Sequence, residues 1–202
     1  MKRLAILLSG RGSNFQAIAA NCRSGALAAE IGLVISNRAD AAGLEWARSQ
    51  GLPAVCLPSK GLDRDLYDQQ VATEIRKANI DLVCLAGYMR ILSAAFVREF
   101  AGRILNIHPS LLPAFPGLDA QKQALDYGAK MTGCTVHFVD EGLDSGPVVL
   151  QKAVPVLDDD SVGTLSARIL AEEHRLYSEA IRIVLDGRYR LEGRRVILSS
   201  AS

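Results

Sequence analysis

Residues 4–14, LAILLSGRGSN, place a short apolar run directly before a glycine-rich turn and the first residues of a helix. Leu4–Leu8 has the length of a buried strand, which Ser9-Gly10-Arg11-Gly12 ends. Ser13-Asn14-Phe15-Gln16 gives the following helix a capping-type start. The stretch therefore predicts a strand, a tight turn and a helix, the first unit of an α/β sheet.

The alternation of strand and helix continues through the amino half of the chain. Strands that are apolar throughout are typical of a parallel sheet covered on both faces. The predicted strands are Leu4–Leu8, Ile31–Ser36, Ala54–Leu57, Leu82–Ala86 and Arg103–Ile107. The predicted helices are Ser13–Cys22, Ala41–Gln50, Arg64–Ala78 and Ser93–Phe100, the last with a capping serine at its start.

The pattern changes after residue 108. Two longer strands joined by a turn-rich segment, residues 140–146, favour antiparallel pairing, and a long amphipathic helix and a terminal hairpin follow. These elements are predicted at Thr132–Val139, Pro147–Val156, Val162–Leu185, Arg188–Leu191 and Arg195–Leu198. Because no internal repeat, low-complexity tract or linker interrupts the chain, we interpret residues 1–202 as one domain.

The composition is that of an ordinary soluble globular protein. Of 202 residues, 49% are hydrophobic and 22% charged, and a formal net charge of +1 gives no electrostatic case for nucleic acid or a membrane as partner. Met1-Lys2-Arg3 has the charge order of a signal peptide, but the apolar run after it is short, so we expect a first strand instead. Nothing approaches the roughly 20 apolar residues of a membrane span.

The cysteines give no sign of a metal site. Cys22, Cys56, Cys84 and Cys134 are widely spaced, no pair has the spacing of metal ligands, and the chain has 3 histidines. We therefore expect no zinc, and we interpret the cysteines as reduced, mostly buried thiols of a cytoplasmic protein.

The glycine-rich turn is the first candidate binding site. Functional sites of open parallel sheets lie at the carboxyl ends of the strands, and the unpaired N–H groups of a helix starting at Ser13 suit a phosphate. Phe15 stands where G-x-G-x-x-G requires its third glycine, and the G-x-x-x-x-G-K pattern is absent, which disfavours dinucleotides and nucleoside triphosphates. A single phosphate monoester is the favoured ligand, with a merely structural turn as the alternative.

Asn106-Ile107-His108-Pro109-Ser110 is the second candidate. Asn106 and His108 stand two residues apart at the end of a predicted strand, so both side chains project from one face. Pro109 holds His108 extended and ends the sheet pairing. An amide can donate to a developing oxyanion and an imidazole can carry a proton. The alternative is that both side chains only satisfy loop hydrogen bonds.

Taken together, these segments resemble the phosphoribosylglycinamide formyltransferase family. The resemblance runs in order from Leu4 to about Leu191. It rests on the loop from Ser9 to Asn14, Leu85-Ala86-Gly87-Tyr88-Met89-Arg90-Ile91-Leu92, Asn106-Ile107-His108-Pro109-Ser110-Leu111-Leu112-Pro113 and Leu143-Asp144-Ser145-Gly146-Pro147. It implies a Rossmann-like amino half with parallel strands and a mixed sheet that continues into an antiparallel carboxyl part.

The resemblance assigns expected roles to individual residues. It implies that Gly12, Ser13 and Asn14 hold the phosphate of a ribonucleotide and that Glu173 binds its ribose hydroxyls. It implies that Asn106, His108 and Asp144 are catalytic, although an Asp before a Ser-Gly turn is common for turn formation alone. The residues implied to contact folate are Arg64, Met89, Arg90, Ile91, Leu92 and Asn106.

Glu173 also has support from the residues themselves. It falls on or beside the apolar stripe of the long helix, where a carboxylate is costly without a partner. The alternative is a helix-edge Glu that reaches water. His137 and His174 are interpreted as structural or supporting histidines. Many family members carry histidines at the positions of Asp119 and Gln121, so these two residues are given no catalytic duty.

The activity implied by the resemblance is formyl transfer from 10-formyltetrahydrofolate, a cosubstrate, to the amine of glycinamide ribonucleotide, without a metal. Small molecules are then the expected partners, with no nucleic acid or membrane, for a monomer or homodimer. Two rivals stay open. One is another folate module, such as a methionyl-tRNA formyltransferase or a formyltetrahydrofolate hydrolase, both of which usually carry an extra domain that we do not expect here. The other is a nucleotide-binding regulator without catalysis.

Overall fold

A computed structural model describes residues 1–199, which form two compact units, residues 1–105 and the residues from 106 onward. The interpretation of residues 1–202 as one domain stays a prediction, and residues 200–202 lie outside the described part. The α/β fold class is confirmed: parallel strands alternate with helices in the first unit, and antiparallel strands dominate the second.

The first unit is built around its first strand. Its elements are β1 (Lys2–Leu8), α1 (Ser13–Arg23), β2 (Ala29–Ser36), α2 (Ala42–Ser49), β3 (Ala54–Cys56), α3 (Arg64–Lys77), β4 (Leu82–Leu85) and α4 (Ala94–Glu99). The strands run parallel in the order β3-β2-β1-β4. The apolar run Leu4–Leu8 is fully buried in the centre, so the carboxyl ends of β1, β2 and β4 share one edge.

The second unit carries the antiparallel pairs. β5 (Ile104–His108) includes residues on both sides of the boundary after residue 105. It is followed by α5 (Ala120–Tyr127), β6 (Met131–Phe138), β7 (Val148–Pro155), α6 (Val162–Leu185), β8 (Tyr189–Glu192) and β9 (Arg195–Leu198). β6 pairs antiparallel with β7, and β8 with β9, as predicted, while β9 meets β7 in parallel at one residue pair. The apolar stripe of α6 packs against β6 and β7.

The predicted elements all occur, with ends displaced by at most two residues, but one local prediction is wrong and one helix was missed. Ser93 caps α4 as expected, since its hydroxyl accepts from Phe96 N–H. Helix α1, in contrast, has Gly12 at its N-cap position, with φ 71° and no side-chain cap. The eight-residue helix α5 was not predicted at all; it follows a segment with two prolines and Gly117 and is too short to show a clear period.

Asp160 fixes the start of α6. Its carboxylate accepts hydrogen bonds from Leu157 N, Thr164 Oγ1 and both terminal nitrogens of Arg168, at 2.7–2.8 Å. These donors hold the pKa of the Asp160 carboxyl well below its usual range, the Arg168 guanidinium most of all. Ser161 adds a capping box with Thr164.

Asp160→Asn should therefore destabilise the fold in a pH-dependent way. A carboxyl whose pKa is lowered by folding contributes stability that is complete above its unfolded pKa, 3.8, and is lost as the pH falls towards its folded pKa. We expect the variant to melt several degrees lower at pH 7 and the difference to shrink below about pH 4. Thermal unfolding at a series of pH values tests this. Asp158→Asn, which removes an exposed carboxylate paired with Lys130, is the matched control and should melt close to the wild type. A difference in melting temperature that does not shrink between pH 4 and pH 2 would contradict the assignment.

Candidate active site

A cavity of about 360 Å³ opens at the carboxyl edge of β1 in the first unit. It is lined by the glycine-rich turn, the start of α1 and residues that follow β2 and β4. These residues are Ser9, Gly10, Arg11, Gly12, Ser13, Asn14, Arg38, Ala86, Gly87 and Met89. Gly12, Ser13 and Asn14 thus line this cavity, and their phosphate-binding role stays a prediction. Because no side chain caps α1, its first N–H groups and the positive end of its dipole suit an anion in this cavity.

Two glycines make the close approach around this turn possible. Gly12 has φ 71°, and a Cβ there would lie only 3.3 Å from Leu8 Cδ2 and from the Cα of Gly43. Gly43, near the start of α2, donates its N–H to Gly10 O at 3.0 Å, and a Cβ on it would meet Gly10 O and Arg11 O at 3.1 Å. The turn therefore requires glycine at both positions, and nothing in the local sequence pattern marked Gly43.

Arg38 was not among the predicted site residues. It follows β2 at the edge that bears the cavity, and its exposed guanidinium pairs with Asp40 at 2.8 Å. The position of residues 37–38 just after a predicted strand was the signal that could have found it. It supplies a cation beside the turn, although the ion pair with Asp40 offsets part of that charge.

The segment expected to bind folate, residues 89–92, has no regular secondary structure. Met89 and Ile91 are 66% and 63% exposed, which leaves apolar side chains available to a flat apolar ligand. The guanidinium of Arg90 stacks 4.4 Å from the centre of the Tyr67 ring. Arg64 is exposed at the first turn of α3, whose cap is Asp63. Their folate-binding roles stay predictions.

A cluster of four polar side chains lies in the second unit. Asn106 and His108 come from β5, His137 from β6, and Asp144 from the turn between β6 and β7. Asn106 Nδ2 is 3.2 Å from His137 Nε2, and the two oxygens of Asp144 face His137 Nε2 at 3.8 Å and His108 Nδ1 at 3.4 Å. The three residues predicted to be catalytic are therefore brought together, and His137 links them.

His137 is held neutral in one tautomer. Its Nδ1 is 2.8 Å from Phe138 O, and because a carbonyl oxygen only accepts, Nδ1 carries the proton. Nε2 then accepts a hydrogen bond from the Asn106 amide. Burial lowers the pKa of the His137 imidazole from 6.5, outweighing the opposing effects of the Phe138 carbonyl and Asp144. The ring thus fixes which end of the Asn106 amide is NH₂.

The loop after β5 holds His108 and Asp144 in place. His108 Nε2 donates to Phe115 O at 2.8 Å, and the hydroxyl of Ser110 donates to Ala114 O at 2.5 Å, with Phe115 O 3.3 Å away. Gly117 N donates to Asp144 Oδ2 at 2.8 Å. The carboxylate is therefore held by a backbone N–H, and it lies 3.4 Å from His108 Nδ1.

The turn that carries Asp144 has a conformation that its sequence explains in part. Asp140 Oδ1 accepts from Gly142 N at 3.1 Å and from Ser145 Oγ at 2.6 Å, which closes the turn. A Cβ at Gly146 would lie 1.8 Å from Phe138 O, so only glycine fits. Asp144 itself has φ 48°, a left-handed conformation that Asp tolerates better than most residues.

The remaining residues singled out in the sequence differ in their exposure to solvent. Glu173 is 6% exposed among the buried apolar residues of α6, which supports a specific role over a helix-edge charge reaching water. His174 beside it has its pKa lowered by burial, and its Nε2 is buried without a hydrogen-bond partner. Asp119 is exposed at the start of α5 with φ 55° and makes no side-chain cap there.

Residues 1–199 contain neither a metal-binding cluster nor a membrane-spanning helix. No group of three or more His, Cys, Asp or Glu side chains within them is arranged to hold a metal ion. None of the helices described there has both the length and the apolar character needed to cross a bilayer.

Comparisons with known proteins agree with these features. A model of the Formyl transferase family matches residues 2–181. The crystal structure of glycinamide ribonucleotide transformylase 1 from Symbiobacterium toebii has 53% identity and a TM-score of 0.96, with 99% of this chain and 95% of that chain covered. Phosphoribosylglycinamide formyltransferase of Escherichia coli is 46% identical over 93% of this chain and 89% of its own length. The trifunctional purine biosynthetic protein adenosine-3 of Drosophila melanogaster is 48% identical over 92% of this chain, which spans 14% of that protein.

The tautomer of His137 can be measured directly. Burial lowers the pKa of the imidazole, and Nδ1 donates to a carbonyl. We therefore expect ¹⁵N NMR to show a neutral ring protonated at Nδ1 at pH 6.5, the pH below which most exposed histidines become positively charged. The spectrum of His137→Gln identifies the signal by its loss. A ring that titrates near its ordinary pKa of 6.5, or carries its proton on Nε2, would contradict the hydrogen-bond assignment to Asn106.

Proposed function

The chain belongs to the Formyl transferase family, and we propose that it transfers the formyl group of 10-formyltetrahydrofolate to the amine of glycinamide ribonucleotide. The products are formylglycinamide ribonucleotide and tetrahydrofolate, as required in purine synthesis. The observation that carries the proposal is the cluster of the half-buried Asn106 and Asp144 with the buried His108 and His137, which combines an oxyanion donor with a proton carrier. The names of its relatives support the same substrates.

The ribonucleotide is assigned to the uncapped helix start and to Glu173. Gly12, Ser13 and Asn14 offer backbone N–H groups and the positive end of the α1 dipole to the phosphate. Glu173, a buried carboxylate, is assigned to the ribose hydroxyls, to which it offers charge-assisted hydrogen bonds.

The folate is assigned to the irregular segment Met89–Leu92 together with Arg64. The exposed side chains of Met89 and Ile91 suit the flat pteridine ring, and backbone groups of residues outside helix and strand can pair with its polar edge. Arg64 offers an exposed cation to the carboxylates of the folate glutamate. The donor is a cosubstrate, and the proposed reaction requires no metal.

The reaction forms one bond and breaks another at the formyl carbon. The amine nitrogen of the ribonucleotide attacks that carbon, and its oxygen becomes negative in the tetrahedral intermediate. An Asn amide has two N–H groups; because His137 accepts one, the other can donate to this oxygen. A donor of this kind is typically worth about 3 kcal/mol of barrier.

Proton transfer completes the step. The attacking nitrogen loses a proton, and N10 of the folate gains one as its bond to the formyl carbon breaks. His108 is the proposed carrier, and Asp144, 3.4 Å from Nδ1, balances the positive charge that the ring holds between the two transfers. His108 is the proposed second donor to the oxyanion, a role in which its Nε2–H turns from Phe115 O, its acceptor in the structure, to the substrate oxygen.

Further properties follow from the proposal. Small molecules are the proposed partners, with no nucleic acid or membrane, and the proposed compartment is the cytoplasm, where purine synthesis draws on a reduced folate pool. A monomer or homodimer is the proposed oligomeric state. A formal net charge of +1 gives no electrostatic attraction for nucleic acid or membranes, which is consistent with small-molecule partners.

An absorbance assay of tetrahydrofolate formation, run with and without glycinamide ribonucleotide, tests the proposed function. We expect release of tetrahydrofolate only when the ribonucleotide is present, with stoichiometric formylation of its amine. Release without ribonucleotide would identify a hydrolase instead. Binding of both substrates without turnover would favour a regulator and would overturn the proposal.

Gly12→Val should weaken ribonucleotide binding selectively. The substitution places a branched side chain at φ 71°, within 3.3 Å of Leu8, and fills the anion cavity. We expect the KM for the ribonucleotide to rise much more than that for folate. Gly51→Val is the matched control, because Gly51 has φ 68° in open space and shares the backbone strain only. Equal weakening of both substrates in a folded Gly12→Val enzyme would count against the phosphate assignment.

Glu173→Ala should cost ribonucleotide binding about 1–3 kcal/mol, the scale for hydrogen bonds to a charged group. Folate binding should change little, and calorimetric titration of each substrate separates the two effects. Glu172→Ala is the matched control, since Glu172 is the adjacent carboxylate and pairs with Arg175 at 3.5 Å. An unchanged ribonucleotide affinity in Glu173→Ala would remove Glu173 from the site.

A further inference from the structure

We infer that Ser9 is a positioning residue whose hydroxyl ties the folate segment to the phosphate loop and thereby couples the binding of the two substrates. The phosphate loop is residues 9–14, and the folate segment is residues 89–92. The inference rests on the proposed function for the identity of the two ligands. Ser9 itself touches neither reacting group in that proposal.

The hydroxyl of Ser9 is fixed in both of its roles. It donates to Asn37 Oδ1 at 2.5 Å and accepts from Met89 N at 2.8 Å. A hydroxyl has one proton, so once it is given to Asn37 a lone pair is left to face the Met89 N–H. Asn37 is held in turn, because its Nδ2 donates to Ser59 Oγ at 3.2 Å. Ser9 and Ser59 are both buried, so water competes little for these bonds.

The folate segment depends on such side-chain bonds for its shape. It belongs to no helix or strand, so no regular ladder fixes its backbone. Its first N–H is held by Ser9, and the N–H of Ser93, just after its last residue, donates to Asp68 Oδ2 at 2.5 Å. Asp68 is 1% exposed on α3. The segment is therefore held at both ends by buried side chains from other elements.

Ser9 also joins this segment to the phosphate loop through the backbone. Its own N–H donates to Gly87 O at 3.0 Å, and the next residue, Gly10, accepts from Gly43 N. Residues 87 and 89 are thus tied to the residue at which the phosphate loop begins. Gly87 and Met89 line the same cavity as that loop.

This connection gives a physical route for coupling. An anion that binds the phosphate loop restricts the motion of its backbone, including the Ser9 hydroxyl that holds Met89. The folate segment then loses less conformational entropy when its own ligand binds, so the second ligand binds more tightly. By linkage, folate must strengthen ribonucleotide binding by the same factor.

The coupling is measured by calorimetry with tetrahydrofolate, which has no formyl group and so forms a dead-end complex with glycinamide ribonucleotide. For the wild type, we expect saturating ribonucleotide to tighten tetrahydrofolate binding about fivefold. For Ser9→Ala, we expect tetrahydrofolate alone to bind about fivefold more weakly and the tightening to fall to less than twofold. Because Ser9 also lines the phosphate cavity, the Kd of ribonucleotide alone is measured as well, and the ratio of the two tetrahydrofolate affinities, not the activity, decides the inference.

Two further variants make the test decisive. Ser9→Cys keeps the size of the side chain while weakening both hydrogen bonds, and it decides the question if Ser9→Ala does not fold. Ser36→Ala is the matched control. Ser36 is also buried and is the last residue of β2, at the same edge of the sheet, but among the described residues its hydroxyl bonds only to the backbone of Arg38. Because Arg38 lines the phosphate cavity, Ser36→Ala can change the ribonucleotide Kd, but it should retain the wild-type coupling factor.

The outcomes separate this inference from the proposed function. Loss of coupling in the Ser9 variants alone supports it. An unchanged factor in a folded Ser9 variant, an equal loss in Ser36→Ala, or a wild type that transfers formyl groups without any coupling overturns it. A wild type that does not transfer formyl groups would contradict the proposed function. That result comes from the turnover assay and not from the titrations.

Discussion

The Asp144 carboxylate is the contact on which the arrangement of the candidate active site depends. One of its oxygens accepts the N–H of Gly117 and faces His108, and the other faces His137, so a single group orders three segments of the second unit. A carboxylate with 11% of its side chain exposed is costly to bury without partners of this kind. The left-handed backbone of Asp144 and the close approach of Gly146 to Phe138 O place the carboxylate among these partners.

The strands and most helices were predictable from the sequence because their signals are local. Leu4–Leu8 and Leu82–Leu85 are apolar throughout, and Val162–Leu185 has a clear helical period. The two-residue spacing of Asn106 and His108 was enough to predict that both would leave β5 on one face. The start of α1 was mispredicted because Ser13 offers a good cap, yet the positive φ of Gly12 takes the cap position.

What the sequence did not reveal are contacts between residues far apart in the chain. His137 was interpreted as a supporting residue, but its link to Asn106 depends on the register of β6, and its tautomer on the Phe138 carbonyl. Phe115 and Gly117 act through backbone atoms, which side-chain identity does not encode. Ser9 and Met89 are separated by 80 positions, so no spacing rule joins them. The proposed catalytic role of Asp144 came from the resemblance to a family, because the residues alone fitted a turn-forming Asp equally well.

The central claim is that the His108–Asp144 pair carries the protons of formyl transfer. A single-turnover measurement with the formyl group of the donor isotopically labelled, comparing the wild type with Asp144→Asn, tests it most directly, because the substitution keeps the shape of the side chain and removes its charge. We expect the rate of label transfer to glycinamide ribonucleotide to fall on the order of 10²-fold or more, while the affinities for both substrates change little. A folded Asp144→Asn enzyme that transfers the label at the wild-type rate would contradict it.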